Sequence, residues 1–189
     1  MSTSPSAALK VYRIGIAIVT ASVLLFPIPY INIIGLMICL GGGLVALTGL
    51  LLFWSAAPSG IGLGERLGIV VALCCTGVFL MFQSLERWSM NTPLLITGAL
   101  CMAAAGVVFH LFWMKVAEGY NAWRVAERFR APMVVGLIGS LLTMAFAVVE
   151  VPVPVRLVIN GTLGLVTFIM YWLALSELQN VLTFGASSD

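Results

Sequence analysis

Six apolar runs alternate along the chain with short polar or Pro/Gly-rich breaks. The first runs from Ile14 to Leu25 and on towards Tyr30, ending at Phe26-Pro27-Ile28-Pro29. The others are Ile33–Trp54, Leu67–Gln83, Leu94–Met114, Met133–Val149 and Leu157–Leu175. A helix crosses the hydrocarbon core with about 20 apolar residues, so each run predicts one crossing. The stretch from Ile14 to Trp54 is 41 residues, too long for one crossing and suited to two. No Asp, Glu, Lys or Arg interrupts any run, as the cost of a charge in hydrocarbon requires. The pattern predicts an all-α polytopic integral membrane protein of six transmembrane helices in a single domain.

The runs pair into three hairpins, about 12–55, 66–115 and 130–177, with a surface segment at 116–130. Arg13-Ile14-Gly15-Ile16, Arg66-Leu67-Gly68-Ile69 and Arg130-Ala131-Pro132-Met133 open them. Ile33-Ile34-Gly35-Leu36, Ile96-Thr97-Gly98-Ala99 and Ile159-Asn160-Gly161-Thr162 begin the second helix of each, and Gly35, Gly98 and Gly161 are 63 residues apart. Two crossings return the chain to its starting side, so such repeats run parallel. The inverted repeats common in secondary transporters are not expected.

Composition sharpens this picture. The 189 residues are 61% hydrophobic and 8% charged, against about 25% charged in a soluble domain. Nine basic and seven acidic side chains leave a net charge of +2, with no basic stripe to bind nucleic acid. Lys10, Arg13, Arg66, Lys115, Arg124, Arg128 and Arg130 fall on one side of the six-span layout, and Arg87 and Arg156 on the other. The positive-inside rule therefore predicts cytoplasmic termini. After the first run Pro27-Ile28-Pro29-Tyr30 stands where a signal peptide would show a small-residue cleavage site, so that run is expected to remain as a span. The segment 116–130, with Val116, Tyr120 and Trp123 at helical spacing, predicts a cytoplasmic helix or half-turn lying at the membrane surface.

The first hairpin, Arg13-Ile14-Gly15 through Phe26-Pro27 to Gly35 and Gly43, resembles the repeat of the HdeD-type acid-resistance membrane proteins. The resemblance is detailed over residues 13–50 and architectural elsewhere. It implies a six-span protein of stress or envelope physiology without catalytic residues. The expected location is a cell membrane, specifically a bacterial inner membrane.

Few residues suggest chemistry. Cys39, Cys74, Cys75 and Cys101 lie in apolar runs without metal-ligand or redox spacing and are expected to pack as small hydrophobes. His110, the one histidine, is a candidate intramembrane polar residue. It could ligate haem or relay protons, or simply hydrogen-bond a neighbouring helix as a neutral imidazole. Asn160 is the second such candidate, lining a polar vestibule or bonding helices together. Gly35, Gly43, Gly98, Gly106 and Gly161 are expected to let helix backbones approach. Gly60-Ile61-Gly62-Leu63-Gly64 lacks the Lys-Ser/Thr of a phosphate-binding loop and reads as a flexible turn.

With no catalytic triad, clustered metal ligands or cofactor motif, the expectation is a non-enzymatic membrane protein without a cofactor. Its partners would be the lipid bilayer, with a homo-oligomer or another membrane protein also open. The alternatives are a small-solute channel or transporter and an accessory subunit of a larger membrane complex. Glu86 and Glu150 are candidate external acid sensors, losing charge as pH falls and freeing Arg87 and Arg156. The double replacement Glu86→Gln with Glu150→Gln is expected to flatten any response of the protein to external pH between about 6 and 3. An unaltered response would remove both residues from consideration.

Overall fold

The computed structural model describes residues 4–23, 32–58, 63–85, 92–149 and 151–184, and these are helical almost throughout. Seven helices follow in order: α1 (Pro5–Val23), α2 (Asn32–Ala56), α3 (Leu63–Leu85), α4 (Thr92–Gly119), α5 (Trp123–Arg128), α6 (Arg130–Val148) and α7 (Val153–Phe184). Among the described residues four stretches are long and apolar enough to cross a membrane: Ile34–Ala56, Ile96–Gly119, Trp123–Phe146 and Pro154–Phe184. Glu86 and Glu150, with Arg87, Pro27 and Pro29, lie outside the described residues.

Local chemistry sets the helix ends. Ser4 caps α1, its Oγ accepting from the Ala7 N–H at 3.3 Å, and Pro5 follows where a missing N–H costs nothing. At the end of α4, Asn121 has φ 57°. The Ala122 N–H reaches the Ala117 carbonyl at 2.8 Å and the Asn121 N–H reaches Glu118 at 2.9 Å, which together make a Schellman stop. Pro132 has no N–H for the carbonyl of Arg128, so the helix breaks there into α5 and α6.

Two units can be separated, one made of α1, α2 and the end of α7 from Leu175, the other of α3 to α6 with α7 up to Ala174. In the first unit α1 and α2 meet backbone to backbone. A Cβ at Gly15 would run into the backbone of Ala46, one at Gly49 into that of Tyr12, and one at Gly42 would sit 2.7 Å from Ile18 Cγ2. Gly35 is buried as well. Gly35, Gly42 and Gly49 recur every seven residues and so share one face of α2. Gly43 lies off that face, and no described atom would come within 4 Å of a Cβ there. Of the expected pair on α2, Gly35 lies on the packing face and Gly43 does not, because its neighbour Gly42 takes that face and adjacent residues point about 100° apart. Arg13 of α1 holds the last turns of α7, donating to Gln179 Oε1 and, at 2.6 Å, to Ser176 Oγ.

In the second unit α3 and α4 approach through Gly77, where a Cβ would stand 3.0 Å from the Gly98 carbonyl and 2.9 Å from Met102 Cγ. At Gly106 and Gly161 a Cβ would meet no described atom within 4 Å, so neither is a close-packing position. An aromatic cluster closes one end of this unit. Trp113 meets Phe112 edge-on at 5.1 Å and stacks on Phe129 at 6.4 Å, and Phe129 meets Tyr171 at 5.9 Å. Val116, Phe129, Val125 and Ala126 are buried while Trp123 is 61% exposed. The segment 116–130 thus ends α4 and forms the short helix α5, packed into the protein through Val116, Val125, Ala126 and Phe129 and exposed at Trp123.

The exterior is apolar. Met37, Leu44, Phe79, Val158, Leu165 and Leu173 are among the large exposed hydrophobic residues, a surface that water would not tolerate and lipid would. Gly15→Ala and Gly49→Ala are each expected to lower stability by about 1–3 kcal/mol through forced separation of α1 and α2. Gly43→Ala should be neutral or gain up to about 1 kcal/mol from helix propensity. Denaturation in mild detergent measures all three, and equal effects would contradict the packing described.

Candidate functional site

The face of α7 that carries Asn160, Gly164, Thr167 and Tyr171 repeats at intervals of four and three, so all four project to one side. On α6, Gly136, Gly139, Ser140 and Thr143 do the same, and Phe109 and His110 come from α4. These residues, with Leu163 and Phe168, line a cavity of about 390 Å³ within the second unit. That volume is at the small end for a small-molecule site. A second cavity of about 120 Å³ lies between α4 and α6 and shares His110, Gly136 and Ser140 with the first.

Glycines make the space. A Cβ at Gly139 would contact Leu163 of α7 at 3.6 Å and one at Gly136 would meet Thr167 Cγ2 at 3.4 Å, whereas Gly164 has no described atom within 4 Å of a Cβ. Aromatic rings bound the end nearest the Trp113 cluster, with Phe109 and Tyr171 centroids 6.3 Å apart and His110 edge-on to Tyr171 at 5.4 Å.

His110 Nδ1 lies 2.7 Å from the Gly106 carbonyl oxygen one turn back. A carbonyl can only accept, so Nδ1 carries the hydrogen, and in the neutral ring Nε2 presents a lone pair. Nε2 is buried and has no hydrogen-bond partner, and the same holds for Oδ1 of Asn160. His110 therefore bonds within its own helix, not to a neighbouring one as its sequence position suggested. Asn160 Oδ1 likewise makes no bond between helices. Ser140, Thr143 and Thr167 donate their hydroxyl hydrogens to the carbonyls of Gly136, Gly139 and Leu163 at 2.9, 2.8 and 2.8 Å. None of the lining residues carries a formal charge.

The fold brings His110 and Asn160 to one cavity although 50 residues separate them in sequence. Thr167 joins them. Thr97 and Thr162 instead are exposed and bond to the carbonyls of Pro93 and Val158. Ser140, Thr143 and the three glycines of the wall gave no signal beyond their spacing along one helix face. Cys39, Cys74, Cys75 and Cys101 are free thiols. Among the described residues no group of three His, Cys, Asp or Glu comes together to hold a metal. Arg156 donates through Nε to the Val151 carbonyl at 2.6 Å.

Comparison with protein-family models, with curated proteins and with solved structures finds no match to this chain. The cavity is thus characterised by its own atoms. A buried acceptor without a partner costs about 1–3 kcal/mol, and an apolar group of similar shape removes that cost. Asn160→Leu and His110→Leu are therefore each expected to raise the stability of the empty protein by about 1 kcal/mol. Thermal unfolding in detergent without added solute checks this. Destabilisation by both would mean that these atoms hold the helices together.

Proposed function

We propose that this chain is a non-enzymatic, six-span integral membrane protein that admits a small solute to the cavity between α4, α6 and α7, as a channel or transporter does. The observation that supports this is a cavity inside apolar helices that is lined by the polar residues His110, Ser140, Thr143, Asn160 and Thr167. Buried polar groups are almost always paired. Polar side chains from three helices gathered around one space are most simply completed by something that enters.

In this reading α1 and α3 add two crossings to the four long apolar stretches, and both termini face the cytoplasm with the larger share of basic residues. The 32 residues of α7 extend roughly 48 Å, against about 30 Å of hydrocarbon. Its last turns, where Arg13 binds Ser176 and Gln179, then stand beyond the inner face of the core. The likeness to HdeD-type proteins rests on residues 13–50 and includes none of the cavity residues, so it carries no part of this reading.

Proteoliposomes provide the test. Stopped-flow light scattering under gradients of glycerol, urea and small alcohols is expected to show faster solute entry than in protein-free vesicles. Gly164→Leu adds its bulk at a cavity-lining position where a Cβ meets no described atom within 4 Å, and should return entry to background in a protein that still folds. Equal rates for the native protein and Gly164→Leu would defeat the proposal.

A further inference from the structure

Two cavities of the second unit meet at His110. The larger, of about 390 Å³, and the smaller, of about 120 Å³, have three lining residues in common: His110, Gly136 and Ser140. Glycine has no side chain, and the short side chain of Ser140 is folded back onto the Gly136 carbonyl at 2.9 Å. Of the three, only His110 brings bulk. Its ring spans the boundary. Nδ1 is held 2.7 Å from the carbonyl of Gly106, which lines only the smaller cavity. The ring lies edge-on at 5.4 Å to Tyr171, which lines only the larger. A hydrogen bond on one side and an aromatic contact on the other hold it in that position.

The geometry points to His110 as the residue that limits the size of the occupant, an inference that rests on the solute-binding reading above. Its ring is a partition that closes the space between α4 and α6 to a molecule held between α4, α6 and α7. An apolar cavity of about 150 Å³ takes one benzene, or about 25 Å³ for each heavy atom. On that scale the larger cavity holds roughly fifteen heavy atoms, and opening the smaller one adds roughly five. The added space is walled mainly by Met102, Ala103, Val107, Met133 and Leu137, so it would take hydrocarbon. Neither cavity is lined by Asp, Glu, Lys or Arg, so an ion would lose water without gaining a counter-charge. The occupant is an uncharged molecule of up to roughly fifteen heavy atoms.

The butyl, octyl and dodecyl monoethers of glycerol are uncharged probes that fall below, just within and beyond that limit. Calorimetric titration of the protein in lipid nanodiscs, against empty nanodiscs, is expected to show saturable binding of the first two and none of the dodecyl ether. His110→Ala should gain the dodecyl ether. His110→Leu, which keeps bulk and loses the imidazole, should behave as the native chain. Methyl NMR locates the probe, because Thr143 and Thr167 line only the larger cavity and Met102 and Met133 only the smaller. In the native protein the octyl ether should shift the two threonine methyls alone. In His110→Ala the dodecyl ether should shift both pairs. His110→Val, a smaller cut, serves if His110→Ala does not fold. The same size limit in the native and the cut-back protein overturns the inference while leaving a solute site in place. So does a gain of the dodecyl ether by His110→Leu, or a shift of Met102 and Met133 in the native chain. Saturable binding of no ether to any of these proteins overturns both this inference and the solute-binding reading.

Discussion

Inside hydrocarbon no water is available to pair a backbone N–H or C=O, so each helix must satisfy its own. The polar side chains obey the same constraint. Thr48, Thr97, Ser140, Thr143, Thr162 and Thr167 each donate to the carbonyl four residues back, and His110 does so through Nδ1. Polar groups are thereby carried into apolar helices with their hydrogens already paired. What they have left to offer is lone pairs. Asn160, also at the cavity wall, differs from them in carrying an amide with two N–H donors beside its oxygen.

Helices in lipid gain no hydrophobic drive from meeting one another and depend on close packing. In the first unit that packing is backbone on backbone, through Gly15, Gly42 and Gly49. The second unit uses two devices. Gly77 and Gly98 bring α3 and α4 together, while rings from Phe109, Phe112, Trp113, Phe129 and Tyr171 fill one end. Bulk at the ring end combined with glycine along the α6 and α7 walls leaves a space between them. The cavity is a consequence of where side-chain volume is concentrated and where it is withheld.

Helical character was legible because uninterrupted apolar runs can be satisfied in lipid by few structures. The Schellman stop at Asn121 was less legible. Its signal is one Asn after Gly119, and it depends on a φ of 57° that many sequences avoid. Glycine faces were only half legible. Gly41-Gly42-Gly43 offers three neighbouring candidates, and the choice among them depends on which way α1 presents Gly15 and Ile18. His110 and Asn160 stood out as polar residues in apolar runs, but whether they meet a helix, lipid or a space is a property of their neighbours.

The sequence by itself determined that the chain is helical, apolar on its outside and free of charge within its runs. These properties follow from the solvent each residue must face, and they need no knowledge of partners. Tertiary structure alone decided that His110, Ser140, Thr143, Asn160 and Thr167, spread over three helices, share one cavity, and that two of their atoms lack a partner. Helix periodicity sets the face on which a side chain lies. Only the packing of one helix against another decides what that face meets.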